Sequence, residues 1–182
     1  MKERGIIFQG EMVRAILAGR KTMTRRVVKP EPVGSPSWIE YEQSGCFYPA
    51  TYEAIPSAIT CPYGLRGDRL YVREAWANWM DKEILYRATQ KAGWIDPEKI
   101  KWKPSIHMFK KDARIWLEIT GIRVERVQEI SEEDCFKEGI PKLKHQTAWF
   151  DFEELWDSIN GKKYPWESNP WVWVIGFKVI TP

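Results

Sequence analysis

A chain of 182 residues that is 43% hydrophobic and 29% charged can bury a core of its own and is too apolar to stay disordered. Its formal net charge of +3 is too small for bulk attraction to a polyanion, so any anion site must be a local cluster. Three cysteines, Cys46, Cys61 and Cys135, without C-x-x-C spacing, and two histidines, His107 and His145, exclude a disulfide scaffold and give no zinc signature; no metal or other cofactor is expected. No apolar run approaches the ~18 residues of a membrane span, and the run Ile6-Ile7-Phe8 is too short for a signal peptide, so the expected setting is the cytoplasm, without membrane contact.

Ile6-Ile7-Phe8 reads as a short strand. Gly10 to Ala18 reads as a helix, because Met12 and Ile16, and Val13 and Leu17, recur at i, i+4, and Gly19 supplies a stop. Lys21 to Val28 reads as a turn running into an extended segment. Pro30, Pro32, Gly34, Pro36 and Pro49 punctuate an irregular stretch to about Cys61, an insertion over a site with Trp38, Tyr41, Phe47, Tyr48 and Tyr52 to pack. A turn over 61–68 launches a strand from Arg69 to Trp76, and Ile84 to Ala88 is the next strand. Lys91 to Lys111 is a basic, aromatic loop.

Arg114 to Val127 is the clearest long strand. Ile115, Leu117 and Ile119 share one face, Gly121 interrupts, and Ile122 and Val124 resume with shifted parity, which predicts a bulge or bend. Ser131 is an N-cap for a short acidic-fronted helix that Gly139 ends. A helix over Trp149 to Ile159 and a strand over Trp171 to Ile180 follow. Strands dominate and no linker divides the chain, so the expectation is a single α+β, mainly β domain over 1–182. It is a partly closed β-barrel decorated by about three helices, with insertions around 29–60 and 90–112. Most of the eleven tryptophans belong to core and sheet packing.

The chemistry-bearing stretch is Gly19-Arg20-Lys21-Thr22-Met23-Thr24-Arg25-Arg26, which puts four cations and two hydroxyls at one helix exit. Like charges so close need an anion to meet, or serve a lysine whose pKa is pushed down. In a regular strand Lys21 and Thr24 point to opposite faces, so they cooperate only if the backbone turns between them. Glu74, after an apolar strand, reads as one half of a structural ion pair. Asp68 reads as a turn residue.

The segment Ile16 to Arg25, the Gly67-Asp68 turn entering a strand, Ile130-Ser131-Glu132-Glu133-Asp134 leading to Glu138-Gly139, and the closing strand near Phe177 occur in an order that resembles the ASCH family of the PUA-like superfamily. Further segments resemble a longer subfamily of phages and prophages: Cys61-Pro62-Tyr63-Gly64, Ser105-Ile106-His107-Met108, Leu155 to Lys162 and Asn169 to Val174. The resemblance covers most of the chain. It implies a PUA-like barrel with a cleft for RNA or a modified nucleoside. Similar small members hydrolyse N(4)-acetylcytidine with a lysine, a threonine and a glutamate; carried over, these are Lys21, Thr24 and Glu138. Arg20, Thr22, Arg25, Arg26, Asp68, Arg73 and His107 are assigned to binding substrate or nucleic acid. The expected partner is a modified nucleoside or RNA. The expected function is an amidohydrolase with Thr24 as nucleophile, Lys21 as base and Glu138 as proton shuttle. Its rivals are an RNA-binding module and a metal-independent ribonuclease built on the same cluster.

Overall fold

The computed structural model describes residues 1–30, 38–40, 46–49, 58–79, 83–90, 100–141 and 147–180. The expected α+β, mainly β class holds: among these residues three α-helices accompany ten strands. The main sheet contains β1 (Glu3–Ile7), β2 (Met23–Val27), β6 (Arg69–Arg73), β9 (Trp116–Arg126) and β10 (Trp171–Ile180), in the order β1-β6-β9-β10-β2. β1 runs parallel to β6; every other neighbour pair is antiparallel. The helices are α1 (Gly10–Leu17), α2 (Glu132–Lys137) and α3 (Ala148–Asn160). Among the described residues, no helix is long and apolar enough to cross a membrane.

The alternation Trp171-Val172-Trp173-Val174-Ile175 explains how one strand serves two cores. Trp171, Trp173 and Ile175 pack with Ile6, Leu70, Leu117 and Ile119 of the sheet and with Val13 and Ile16 of α1. Val172 and Val174 face the opposite way, toward Cys135 of α2 and Phe152 and Trp156 of α3. Period two on the strand thus places α1 on one face and the other two helices on the other.

Several expected boundaries move. The insertion around 29–60 is not wholly irregular: it holds β3 (Trp38–Glu40), β4 (Cys46–Pro49) and β5 (Ile59–Thr60), paired in that order as a small antiparallel sheet. Phe47 anchors it, buried edge-on against Trp173 with ring centroids 5.2 Å apart. Residues 91–99 of the second insertion lie outside the described residues. The single strand expected over Arg69–Trp76 is broken at Glu74, which is buried and held by Nε and Nη2 of Arg114 at 2.9 and 3.0 Å. After the break, β7 (Trp76–Trp79) pairs with β8 (Glu83–Tyr86). The bend expected at Gly121 is present. Gly121 faces Gly176 across the ladder, and the register between β9 and β10 slips by one residue beyond that pair. Thr120 is the extra residue, which is why side-chain parity shifts along β9.

As expected of an arrangement that is only partly closed, strand pairing leaves the main sheet open between β1 and β2. The Val28 amide donates to the Trp171 carbonyl at 2.9 Å and the Phe177 amide to the Thr22 carbonyl at 2.8 Å, so the even-numbered positions of β2 carry its bonds to β10. Antiparallel alternation then turns the main-chain groups of Met23, Arg25 and Val27 outward. On β1, Lys2 and Phe8 bond toward β6, which turns Ile7 outward. The Arg26 guanidinium reaches the Ile7 carbonyl at 2.6 Å. A side chain, rather than a ladder, spans the seam.

Candidate active site

Two helix ends meet beside that seam. Gly19 takes a left-handed φ of 70° after α1, and the amides of Arg20 and Lys21 both return to the Ala15 carbonyl, at 2.9 and 3.1 Å. This turn consumes Lys21, so β2 begins only at Met23. The parity conflict between Lys21 and Thr24 disappears because they do not share a regular strand. On α2, the Ser131 hydroxyl accepts the Asp134 amide at 3.2 Å, and Gly139 closes the helix with φ 98°. The Thr22 amide donates to the Lys137 carbonyl at 2.8 Å, and Arg20 donates to the Gly139 carbonyl at 3.0 Å, stapling the two ends together.

Gly139 is required twice over at this junction. A Cβ there would lie 3.1 Å from the Ala15 Cβ and 3.2 Å from the Lys21 Cβ, on a backbone that L-residues avoid. Gly139→Ala is therefore expected to lower stability by about 1–2 kcal/mol from backbone conformation alone. The contacts add to that figure, and urea unfolding measures the total.

Lys21 is 2% exposed and Glu138 4% exposed, so the pair is sealed from water. The Lys21 ammonium lies 2.5 Å from Glu138 Oε2 and 2.7 Å from the Glu138 carbonyl oxygen. The other carboxylate oxygen, Oε1, accepts from Arg25 at 3.3 Å. Arg25 also contacts Glu125 at 2.5 Å and Asp134 at 3.1 Å, and Arg123 closes the network from outside by bonding both of those carboxylates. Burial holds the Lys21 pKa below its ordinary 10.5, the attraction of Glu138 working against it and the charges of Arg26 and Arg25 with it. Burial also disfavours the Arg25 charge, but Glu138, Glu125 and Asp134 outweigh it and raise the pKa.

These groups border a cavity of about 170 Å³ in the seam. Lys21, Thr24, Arg25, Arg26 and Glu138 supply its polar side. Ile7, Phe8, Gln9 and Met12 form one wall, and Phe152, Leu155, Trp156, Ile159 and Asn160 of α3 the other. A dry cavity of roughly 150 Å³ admits benzene, so this one has the size of a single ring with a short substituent. Among the described residues, no group of three or more His, Cys, Asp or Glu is arranged to hold a metal ion.

The structure thus brings together Lys21, Thr24, Glu138, Arg25 and Arg26. The remaining candidates do not line the cavity. Arg20 is exposed and occupied with Gly139, and Thr22 is exposed. The Asp68 carboxylate locks its own turn, accepting the Lys2 amide at 2.6 Å, the Leu65 amide at 3.1 Å and Arg4 at 3.2 Å. Arg73 donates to the Ile106 carbonyl, and His107 is exposed in the 3-10 turn over 105–107. The sequence reading missed the apolar walls and the carboxylates Glu125 and Asp134. A signal for one wall was available: Phe152, Leu155, Trp156 and Ile159 follow i, i+3, i+4, i+7 spacing on α3.

No family model and no curated protein matches the chain. Two solved structures are similar to it over its full length, each with 81% of its own chain covered and a TM-score of 0.44: an ASCH domain from Lactobacillus crispatus JV V101 at 15% identity, and a DUF984 protein from Enterococcus faecalis V583 at 10% identity.

Proposed function

We propose that this protein is an amidohydrolase that removes the acyl group from an acylated cytidine or a closely related modified nucleoside. The observation that carries the reading is the water-shielded Lys21–Glu138 pair on the same small cavity as the Thr24 hydroxyl. An amide needs a nucleophile, a base for its proton, and an acid for the leaving amine. Lys21 can act as base because burial favours its neutral form. In the proposed first step, the Thr24 oxygen bonds to the acyl carbon and its proton passes to Lys21. Across the 2.5 Å contact that proton moves by way of Glu138 to the leaving nitrogen as the C–N bond breaks. Water then cleaves the acyl-threonine ester, releasing the acid and restoring the hydroxyl. The substrate class follows the resemblance of the motif through Lys21 and Thr24 to the ASCH family, and the ring-sized cavity agrees with it.

The ion pairing also weighs against a phosphate-gripping role for the cluster. Lys21 is committed to Glu138, Arg25 to three carboxylates and Arg20 to a carbonyl. Charges neutralised inside the fold are poor bait for a polyanion.

Incubation with N(4)-acetylcytidine should yield cytidine and acetate in equal amounts by mass spectrometry. Thr24→Ser should retain turnover, whereas Thr24→Ala should lose at least about a thousandfold. Full activity in Thr24→Ala would remove Thr24 as nucleophile. A folded protein that deacylates no member of an acyl-nucleoside panel overturns the reading. If it instead binds RNA with steep salt dependence, it is a binding module; if it shortens labelled RNA, it is a ribonuclease.

A further inference from the structure

One cation on the cavity, Arg26, has no carboxylate within ion-pair distance among the described residues. Arg26 is half-buried, spends one N–H on the Ile7 carbonyl at 2.6 Å, and lies over the Phe8 ring at 5.0 Å. Its Nε is shielded from solvent and has no acceptor. Among the described residues no carboxylate pairs with Arg26, whereas its neighbours Lys21 and Arg25 are both ion-paired. A guanidinium offers five donors, and a shielded Nε–H without an acceptor is unfavourable unless something else supplies one. Arg26 and Thr24 stand two residues apart on β2, so their side chains project to the same side. Met12, Phe152, Leu155 and Trp156 supply apolar lining to the same cavity.

We propose that the cavity binds a planar single-ring ligand bearing a carboxylate or amide oxygen, and that Arg26 receives that oxygen. In its catalytic form this rests on the amidohydrolase reading. When the Thr24 oxygen adds to the acyl carbon, the carbonyl π pair moves onto oxygen, and the Arg26 charge stabilises the resulting oxyanion until the pair returns and the amine leaves. That interaction is stronger in the transition state than in the bound substrate, so it acts on kcat more than on KM.

The probes are benzoate, benzamide and toluene, titrated against the full chain while the arginine Nε–H NMR signals are followed. The Arg26 signal is identified by its loss in Arg26→Met. Benzoate should shift that signal and bind at least tenfold more tightly than toluene, and Arg26→Met should remove the preference. Arg26→Gln, which keeps a donor for the Ile7 carbonyl without the charge, should also remove benzoate's advantage over benzamide and covers a failure of the methionine variant to fold. With acylcytidine, kcat should fall about 10²–10³-fold in both variants while KM changes little. Benzoate binding that ignores Arg26, or no benzoate binding at all, overturns the proposal whatever the hydrolysis assay gives. Arg26-dependent benzoate binding without any deacylation upholds the site and overturns the amidohydrolase reading instead. Deacylation with an undiminished kcat in Arg26→Gln upholds the amidohydrolase and overturns the catalytic role of Arg26.

Discussion

Lys21→Met is expected to reduce kcat/KM for deacylation by about 10²–10⁴-fold, the usual worth of a positioned general base. Methionine keeps much of the buried stem, and Arg25 remains on Glu138, so a folded protein is expected. Lys21→Arg is the sharper comparison. It restores the charge and a partner for Glu138, yet a guanidinium does not release a proton at accessible pH. If Lys21 only braces the fold, arginine should rescue turnover; if Lys21 is the base, it should not. The pH profile is a second readout. Burial lowers the Lys21 pKa from 10.5, so wild-type kcat/KM should climb with pH along a limb whose midpoint lies below that value. The residual activity of Lys21→Met should lack the limb. A Lys21→Arg enzyme with wild-type turnover ends the base assignment.

Glu138→Ala should have the largest effect on stability, a loss of about 3–5 kcal/mol at neutral pH. Both carboxylate oxygens are in use, and removing them leaves a buried ammonium and a guanidinium arm without the carboxylate that balances their charge. Glu138→Gln keeps one acceptor and the shape, and should lose less. The pH dependence has a definite sign. In the alanine variant only the main-chain carbonyl of residue 138 still meets the Lys21 ammonium, and without the carboxylate burial lowers its pKa further in the folded state. The unfolded chain holds that proton up to about 10.5, the folded chain only to a lower pH. Between the two values the unfolded state binds more protons, so stability rises with pH through that window. In the wild type Glu138 opposes the lowering, so the window is wider in Glu138→Ala and its deficit against wild type should narrow as solutions become alkaline. Adding Lys21→Met should recover part of the loss at neutral pH, because the stranded charge is then gone. Urea unfolding of the variants at neutral and alkaline pH tests all three statements. Wild-type stability in Glu138→Ala would mean that the pair contributes nothing to holding the fold.

The elements that the sequence made legible are those whose signals are local. Gly19 and Gly139 end helices because their backbones turn left-handed within one turn of the last helical bond. Ser131 caps α2 with its own side chain, and the parity change at Gly121 marks a real slip in the ladder. Long-range pairing was not legible in the same way. Neither the proximity of β1 and β2 nor the gap between them leaves a trace in hydrophobic periodicity. The prolines between Pro30 and Pro49 hid three short strands, because a proline breaks a ladder only where its missing donor is needed. Within the site, Lys21, Thr24, Arg25, Arg26 and Glu138 meet on one cavity. Asp68 was read as a turn residue, which its bonds to the Lys2 and Leu65 amides bear out, but its assignment to binding, like those of Arg73 and His107, finds no place on the cavity. Asp134 was read as a first-turn helix acid, which it is, but it also meets Arg25 at 3.1 Å across the fold.

The order of strands in the sheet has a consequence for how the molecule comes into being. β2 carries Thr24, Arg25 and Arg26, and its only hydrogen-bonded neighbour among the described strands is β10, the most C-terminal of them. A growing chain thus produces the cationic segment long before the strand that seats it, and before the carboxylate of Glu138 and the wall of α3. Until then, the Lys21 and Arg25 charges that end up buried remain in water, where solvent compensates them. During synthesis the cavity can be assembled only once β10 has been made, because β2 has no other strand among the described residues to pair with. A fragment ending before Trp171 would carry every polar residue of the site and still have no site.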